Sequence, residues 1–259
     1  MALGITCRRW AAALALVALS AAPVAYAGSA RIADGKGLLG AMHDRYRHDW
    51  YQTLTFDQTS TTHNPDGTSK SEMWHEAAML PGNLRIDIGD PSQGNGVLLA
   101  DGTLTRFKAG KVTTSAPFVH MLLVLGFDVY QQPTKHTIDE VVGQGYDLSK
   151  LREDTWRGAP VYVVGADAGD LKTKQFWIDR KRLLFVRLIE PDTKDQSKTD
   201  DIRFTDYRRE TPGWVAAEVE DYVDGKNVFS ENYANIRVNP KLDPAIFDPK
   251  QFAKLHWEK

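Results

Sequence analysis

The chain has 259 residues, of which 42% are hydrophobic and 25% charged, with 20 glycines and 12 prolines. This composition excludes disordered, collagen-like and coiled-coil proteins. A mean hydropathy of -0.40, with one long apolar stretch close to the N-terminus, excludes a polytopic membrane protein. Because 32 basic residues are balanced by 34 acidic ones, the composition gives no support for nucleic acid as a partner.

The N-terminal segment has the three parts of a secretory signal peptide. Arg8 and Arg9 form a short basic region, small and apolar residues follow, and Ala25-Tyr26-Ala27 provides the small-x-small cleavage pattern. We therefore expect a signal peptide over residues 1–27 and a single mature domain over residues 28–259. Two alternatives remain: a retained membrane anchor, for which the apolar run is short, and a twin-arginine signal, which the flanking residues match poorly.

The single cysteine of the chain, Cys7, lies inside the predicted signal peptide. Its removal leaves a mature protein with no disulfide, no Cys-ligated zinc and no cysteine nucleophile. Because Cys7 precedes the apolar run, it is also not a lipid-attachment cysteine at the cleavage site. These features predict an exported, soluble and unlipidated protein with no membrane span in the mature chain.

Hydrophobic periodicity predicts one helix followed by a series of strands. Apolar residues recur every three or four positions over residues 35–51, which indicates an amphipathic helix. They are Leu38, Leu39, Met42, Tyr46 and Trp50. The period then changes to two, and a turn at Asn64-Pro65-Asp66-Gly67 indicates a long β-hairpin. The elements predicted here are this hairpin over residues 51–80 and strands over residues 84–88, 97–99 and 104–107.

The alternation stops at residues 118–127, which are apolar nearly all round. Such a segment predicts a helix that is buried on every side. A second short helix is predicted over residues 137–142, and strands resume over residues 161–164, 174–178, 184–189, 202–207, 214–223 and 228–238. The sequence therefore predicts a mainly β (α+β) fold with an N-terminal helix and a helical insertion. Its single antiparallel sheet has about 10 or 11 strands, a size at which twisted sheets curl or split.

The common signatures of catalysis and cofactor binding are missing. The sequence has no G-x-S-x-G elbow, no phosphate-binding loop and no H-E-x-x-H motif. His43 and His48 are spaced to point apart on a helix, which disfavours a joint metal site. We therefore predict no catalytic residue, no metal and no cofactor, and expect a protein that is not an enzyme. The enzyme alternative rests on His120, Asp87 and Arg106, weak candidates for polar groups that converge in a cavity.

The most distinctive residues are apolar and aromatic. The segment over residues 118–127 combines apolar side chains with a flexible methionine, a combination that can repack around variable apolar partners. It either fills the sheet as core or lines, together with the sheet, a cavity for an acyl chain. We adopt the second interpretation as the working hypothesis. The predicted ligand-binding residues are Phe118, Met121, Leu122, Leu125, Phe127, Trp74 and Trp177.

Two local motifs carry a family resemblance. Residues 177–187 read WIDRKRLLFVR, and residues 238–249 read VNPKLDPAIFDP. Together with the export signal and the order of elements, they resemble the LolA- and LolB-like periplasmic lipoprotein-carrier superfamily. The resemblance implies an open antiparallel half-barrel whose concave face, covered by helices, holds lipid or lipoprotein acyl chains. It also implies a role linked to outer-membrane lipid or lipoprotein sorting, with envelope proteins as further partners.

The resemblance leaves two other classes of function open, because the same scaffold is used for more than transport. One is a regulator that binds another envelope protein and that would present an exposed apolar patch to it. The other is an enzyme that reuses the cavity. A carrier differs from both in that it would hold a hydrophobic ligand in the absence of a partner protein or a reaction.

Overall fold

The computed structural model describes residues 32–257. The predicted signal peptide, including Cys7, lies outside the described residues. Within them the chain forms three α-helices and thirteen strands. The helices are α1 (Gly35–Tyr46), α2 (Met121–Gly126) and α3 (Thr134–Gly143). The strands are β1 (Thr53–His63), β2 (Ser69–Met79), β3 (Asn83–Ile88), β4 (Gly96–Ala100), β5 (Thr103–Lys108), β6 (Lys111–Pro117), β7 (Leu151–Trp156), β8 (Ala159–Val164), β9 (Gln175–Asp179), β10 (Phe185–Pro191), β11 (Thr199–Arg209), β12 (Trp214–Val223) and β13 (Lys226–Val238).

All of these strands belong to one antiparallel sheet in the order β6-β5-β4-β3-β2-β1-β13-β12-β11-β10-β9-β8-β7. The chain runs outward from β1 to β6, passes through α2 and α3, and returns from β7 to β13, which pairs with β1. The sheet is open, since β6 and β7 at its two ends do not pair with each other within the described residues. The predicted mainly β fold built on a single open antiparallel sheet is therefore confirmed.

The three helices pack against one face of the sheet, which we call the inner face. The carboxylate of Asp34 accepts a hydrogen bond from the backbone N–H of Gly37 at 2.8 Å and so caps the N-terminus of α1. Leu38 and Met42 of α1 are fully buried against the sheet, as the periodicity predicted. The helix ends earlier than predicted, at Tyr46, because the chain turns there towards β1.

The helical insertion and the two sheet edges differ from the prediction. α2 begins only at Met121, so Phe118 precedes the helix and is 47% exposed. Leu122 is half-buried, although a helix buried on every side was expected. The two strands beyond the predicted count of 10 or 11 are β6, in which every residue is exposed, and β7, in which none is buried. Neither strand has the apolar alternation from which the others were predicted.

The segment that follows β13 covers part of the outer face. It forms two short 3₁₀ turns, Pro244–Phe247 and Pro249–Gln251. The Phe252 ring stacks on the Phe107 ring with 3.9 Å between their centroids. The fully buried Arg85 side chain donates hydrogen bonds to the backbone carbonyl oxygens of this segment. The outer face above β3, β4 and β5 is therefore occupied by the chain itself.

Candidate functional site

A cavity of about 160 Å³ lies on the inner face between the sheet and α2; we call it the inner cavity. Side chains from β1, β2, β3, β11 and β13 reach it because alternate residues of each strand point to the same face. Much of its wall is apolar and includes Leu54, Leu84, Leu122, Leu123, Phe127 and Phe204. The aromatic residues Trp74 and Tyr233 also line it, and its remaining polar residues are Glu76, His120 and Glu231.

A second, more open cavity of about 730 Å³ lies on the other side of the first turn of α2; we call it the loop cavity. It is bounded by Phe118 and Val119 ahead of α2, by the β2–β3 and β4–β5 turns and by α3. His120 and Leu123 line both cavities. These two residues therefore form the partition between the cavities.

His120 is the N-cap residue of α2, and its side chain is uncharged. Its Nδ1 accepts a hydrogen bond from the backbone N–H of Leu123 at 3.3 Å, which caps the helix. Burial lowers the pKa of His120 to about 4. The imidazole is therefore uncharged at neutral pH and adds no positive charge to either cavity.

Asp128 gives the loop cavity a carboxyl group that titrates near neutral pH. The side chain is buried, and burial raises its pKa to about 7. The backbone N–H of Gly82 donates a hydrogen bond to Asp128 Oδ1 at 3.1 Å, which opposes the rise, whereas the nearby Glu140 adds to it. A ligand in the loop cavity would therefore meet a carboxyl that is partly protonated.

Two carboxyl groups line the inner cavity from strands on either side of β1. Glu76 of β2 lies opposite Phe56, and Glu231 of β13 lies opposite Ser60. Burial, followed by the charge of Glu231, raises the pKa of Glu76 well above its usual range. Burial also raises the pKa of Glu231 to about 7, against the hydrogen bond of 2.7 Å that it accepts from the Tyr233 hydroxyl and the hydrogen bonding of the Gln58 amide. The pair therefore retains a proton near neutral pH.

The predicted ligand-binding residues occupy three different places. Trp74, Leu122 and Phe127 line the inner cavity, and Phe118 lines the loop cavity. Met121 and the fully buried Leu125 belong to the core and line neither cavity. Leu125, which was expected to face a cavity, is therefore a core residue, whereas Leu122, predicted with it, lines the inner cavity from the same helix.

Trp177 lies on the outer face, away from both cavities. Its neighbours Phe176 and Ile178 belong to the inner-face core, so the alternation of the strand sends Trp177 to the opposite side. There the indole N–H donates a hydrogen bond to Gln175 Oε1 at 3.0 Å, and the Arg187 guanidinium lies 4.6 Å from the ring centroid. The structure does not bring Trp177 together with the other predicted residues.

Sequence reasoning missed Glu76, Glu231 and Tyr233. A signal was present for Glu76, because Trp74, Glu76 and Ala78 share one face of a strand with period two. No comparable signal linked β2 to β13. The two strands pair with opposite sides of β1 but are far apart in the sequence. The carboxyl pair could be recognised only from the sheet order.

Two further features were sought among residues 32–257, a metal-binding cluster and a membrane-spanning helix. No group of three or more His, Cys, Asp or Glu side chains there is arranged to hold a metal ion. None of the helices in that range has the length and hydropathy that a membrane crossing requires. What the inner-face geometry offers is an apolar wall with a few polar groups at one side, the usual composition of a small-molecule binding site.

No protein-family model matches the chain, and comparison with curated proteins gives no match. Solved structures do match most of it. A domain named for outer membrane lipoprotein sorting from Vibrio parahaemolyticus has a TM-score of 0.55 at 12% identity, covering 85% of this chain and 98% of that one. A LolA superfamily protein from Nitrosomonas europaea has a TM-score of 0.52 at 12% identity, covering 81% and 96%. A DUF1329 family protein from Desulfovibrio piger has a TM-score of 0.51 at 13% identity, covering 83% and 95%.

At sequence identities of 12–13%, these matches show a shared fold and do not identify a ligand. The matches cover 85% and 81% of this chain, and the motifs around residues 177–187 and 238–249 predicted the same fold from the sequence. The chain has the LolA-like fold.

Proposed function

We propose that this protein is an exported periplasmic carrier or binder of a hydrophobic ligand, such as a lipid or the acyl chains of a lipoprotein. The observation that carries the proposal is the inner cavity, in which Trp74, Leu122 and Phe127 line an apolar space between the sheet and α2. The fold supports it, since one solved structure with this fold is named for lipoprotein sorting and another for the LolA superfamily. The signal-peptide pattern supports export and an unlipidated mature protein.

The size of the inner cavity sets how a ligand would enter. A cavity of about 160 Å³ is close to the roughly 150 Å³ of engineered cavities that hold one benzene molecule. A longer chain needs more room, and the loop cavity of about 730 Å³ lies directly beyond His120 and Leu123. An outward shift of the first turn of α2 would join the two spaces, and its return would expel the ligand.

The energetics suit reversible carriage. Burial of one methylene contributes about 0.8 kcal/mol, so ten buried methylenes contribute about 8 kcal/mol before the cost of ordering the chain. That corresponds to micromolar binding at best. A modest conformational change in the six-residue helix α2 is then enough to release the ligand.

The proposal is tested by mass spectrometry of organic extracts of the protein purified from the cell envelope. The Leu122→Trp variant places a bulky side chain in the cavity wall, and Leu171→Trp, at a position that is 47% exposed, is its matched control. We expect one class of hydrophobic molecule to co-purify with the wild type and with Leu171→Trp, and to be depleted from Leu122→Trp. An empty wild-type protein, or equal loading of all three, would overturn the proposal.

A further inference from the structure

This inference rests on the proposed function and concerns the chemistry of the ligand. Glu76 and Glu231 both face the inner cavity, and no lysine or arginine is among the residues that line it. The remaining basic residue of the lining, His120, uses Nδ1 to accept a hydrogen bond from a backbone N–H. The charged end of the cavity therefore has acidic groups and no cation of its own.

The polar groups at this end are incompletely hydrogen-bonded. The Glu76 side chain is 5% exposed, and its carboxyl group makes no hydrogen bond to any other described residue. Gln58, which lies on β1 between the two carboxyls, is fully buried, and its Oε1 has no hydrogen-bond partner among the described residues. Buried polar groups without a partner are uncommon, because each costs free energy. Of these two groups, the Glu76 carboxyl lines the cavity and is available to a hydrogen-bonding group of a ligand.

A positively charged donor suits the two carboxyls better than a neutral or an anionic group. An anionic end, such as a free fatty acid or a phosphate, would be repelled by the two carboxyls with no cation to offset the repulsion. An ammonium group donates three hydrogen bonds and accepts none. It would also supply the counter-charge without which a pair of buried carboxylates is unstable.

We propose that the inner cavity binds an amphiphile that carries a cationic amine, with its alkyl part against Leu122 and Phe127 and its ammonium group between Glu76 and Glu231. Binding is non-covalent, and the ammonium takes the place of the proton that the carboxyl pair otherwise holds. Ligand binding near neutral pH therefore releases a proton, and the affinity rises with pH.

Other titratable groups on the inner face surround the pair. They are Tyr233 on β13, His120 ahead of α2, Asp221 on β12 with its neighbour Asp200 on β11, and Lys70 and Glu72 at the exposed end of β2. Asp221 and Asp200 have raised pKa values of their own, owing first to burial. Only Glu76 and Glu231 are acidic residues of the cavity wall, so substitutions of these two isolate the effect.

The test is calorimetric titration with octylamine, octanol and octanoic acid, which share a chain length and differ in their polar end. At pH 8.5 octylamine is still protonated, because alkylamines have pKa values above about 10. We expect octylamine to bind more tightly than octanol at pH 8.5, to lose about tenfold in affinity by pH 5.5, and to release protons at pH 7 when two buffers of different ionisation enthalpy are compared. Octanoic acid should bind most weakly at pH 8.5.

The variants Glu76→Gln and Glu231→Gln keep the side-chain shape and remove the charge. Each should reduce octylamine binding to the level that octanol shows with the same variant and abolish proton release, whereas Glu153→Gln on the edge strand β7 should behave as the wild type. If octanol binds but octylamine shows no preference, or if the Gln variants keep the preference, this inference fails and the proposed function stands. If none of the three probes binds, both are overturned.

Discussion

The backbone N–H of Leu123 donates a hydrogen bond of 3.3 Å to Nδ1 of His120, and these two residues are the partition between the inner cavity and the loop cavity. Because the pKa of His120 is lowered to about 4 by burial, the imidazole can accept this bond throughout the neutral range. The first turn of α2 is therefore held by a cap that also forms part of the wall of both cavities.

The cap can be tested by substitution of His120. We expect His120→Ala to lower the free energy of unfolding by roughly 0.5–2 kcal/mol, the usual cost of losing an N-cap, and to speed amide hydrogen exchange at Leu123 and Val124. His120→Asn retains an acceptor at the cap and should lie close to the wild type. Equal destabilisation by the two variants would show that the hydrogen bond does not hold the helix.

Leu122 and Leu125 should respond differently to the same charge. Leu122 lines the inner cavity and is half-buried, so Leu122→Asp should fold and lose its hydrophobic ligand. Leu125 is fully buried in the core, where an unpaired carboxylate costs several kcal/mol, so Leu125→Asp should fail to fold. Near-UV circular dichroism and lipid extraction on both variants check this; a folded Leu125→Asp or an unfolded Leu122→Asp would contradict the assignment of the two positions.

The fully buried ion pair between Arg85 and Asp87 should anchor the segment after β13. Its two nitrogen–oxygen distances are 2.9 and 3.0 Å, and Arg85 also bonds backbone carbonyls of that segment. Arg85→Met leaves the carboxylate unpaired, which should cost about 3–5 kcal/mol and expose the segment beyond residue 240 to limited proteolysis. The double variant Arg85→Met with Asp87→Leu removes the unpaired charge and should recover part of the stability; no recovery would argue against the pair as the cause.

The carboxyl pair predicts how stability depends on pH. In the unfolded chain a glutamate ionises near its usual pKa of 4.5, whereas Glu231 in the fold titrates at about 7 and the pKa of Glu76 is raised well above 4.5. Between these values the folded state binds more protons, so this contribution to stability falls as pH rises from about 4.5 through about 7. Urea titrations at pH 5 and pH 8 should show a smaller loss for Glu231→Gln than for the wild type. Equal losses would contradict the raised pKa.

The parts of the fold that could be predicted from the sequence are those marked by apolar residues, either alternating with polar ones or in a continuous run. α1, the long β1–β2 hairpin and the strands β8 to β13 carry such patterns and were predicted close to their observed positions, whereas the edge strand β7 was not predicted. β6 could not be predicted, because every residue of this edge strand is exposed and no apolar pattern marks it. The length of α2 was overestimated, since an apolar composition does not reveal the cap at His120 that sets where the helix begins.

The candidate site was predictable only in part, for a related reason. The apolar segment contains Leu122 and Phe127, which line the inner cavity, but composition alone could not separate them from the core residue Leu125. Trp177 was assigned to the cavity because it is a large aromatic residue, although the inward-facing Phe176 and Ile178 on either side of it send it to the outer face. The face to which a strand residue points depends on how the strand is placed in the sheet, and apolar composition alone does not reveal that placement.

The presence of a hydrophobic ligand site between α2 and the sheet is tested most directly by paramagnetic broadening of tryptophan indole N–H signals in an NMR spectrum. The probe is an uncharged nitroxide that carries an octyl chain. Trp74 lines the inner cavity and Trp177 lies on the outer face, so the Trp177 signal serves as an internal control. We expect substoichiometric probe to broaden the Trp74 signal first and to leave that of Trp177 sharp. Equal broadening of both signals, or broadening of Trp177 alone, would contradict a ligand site on the inner face.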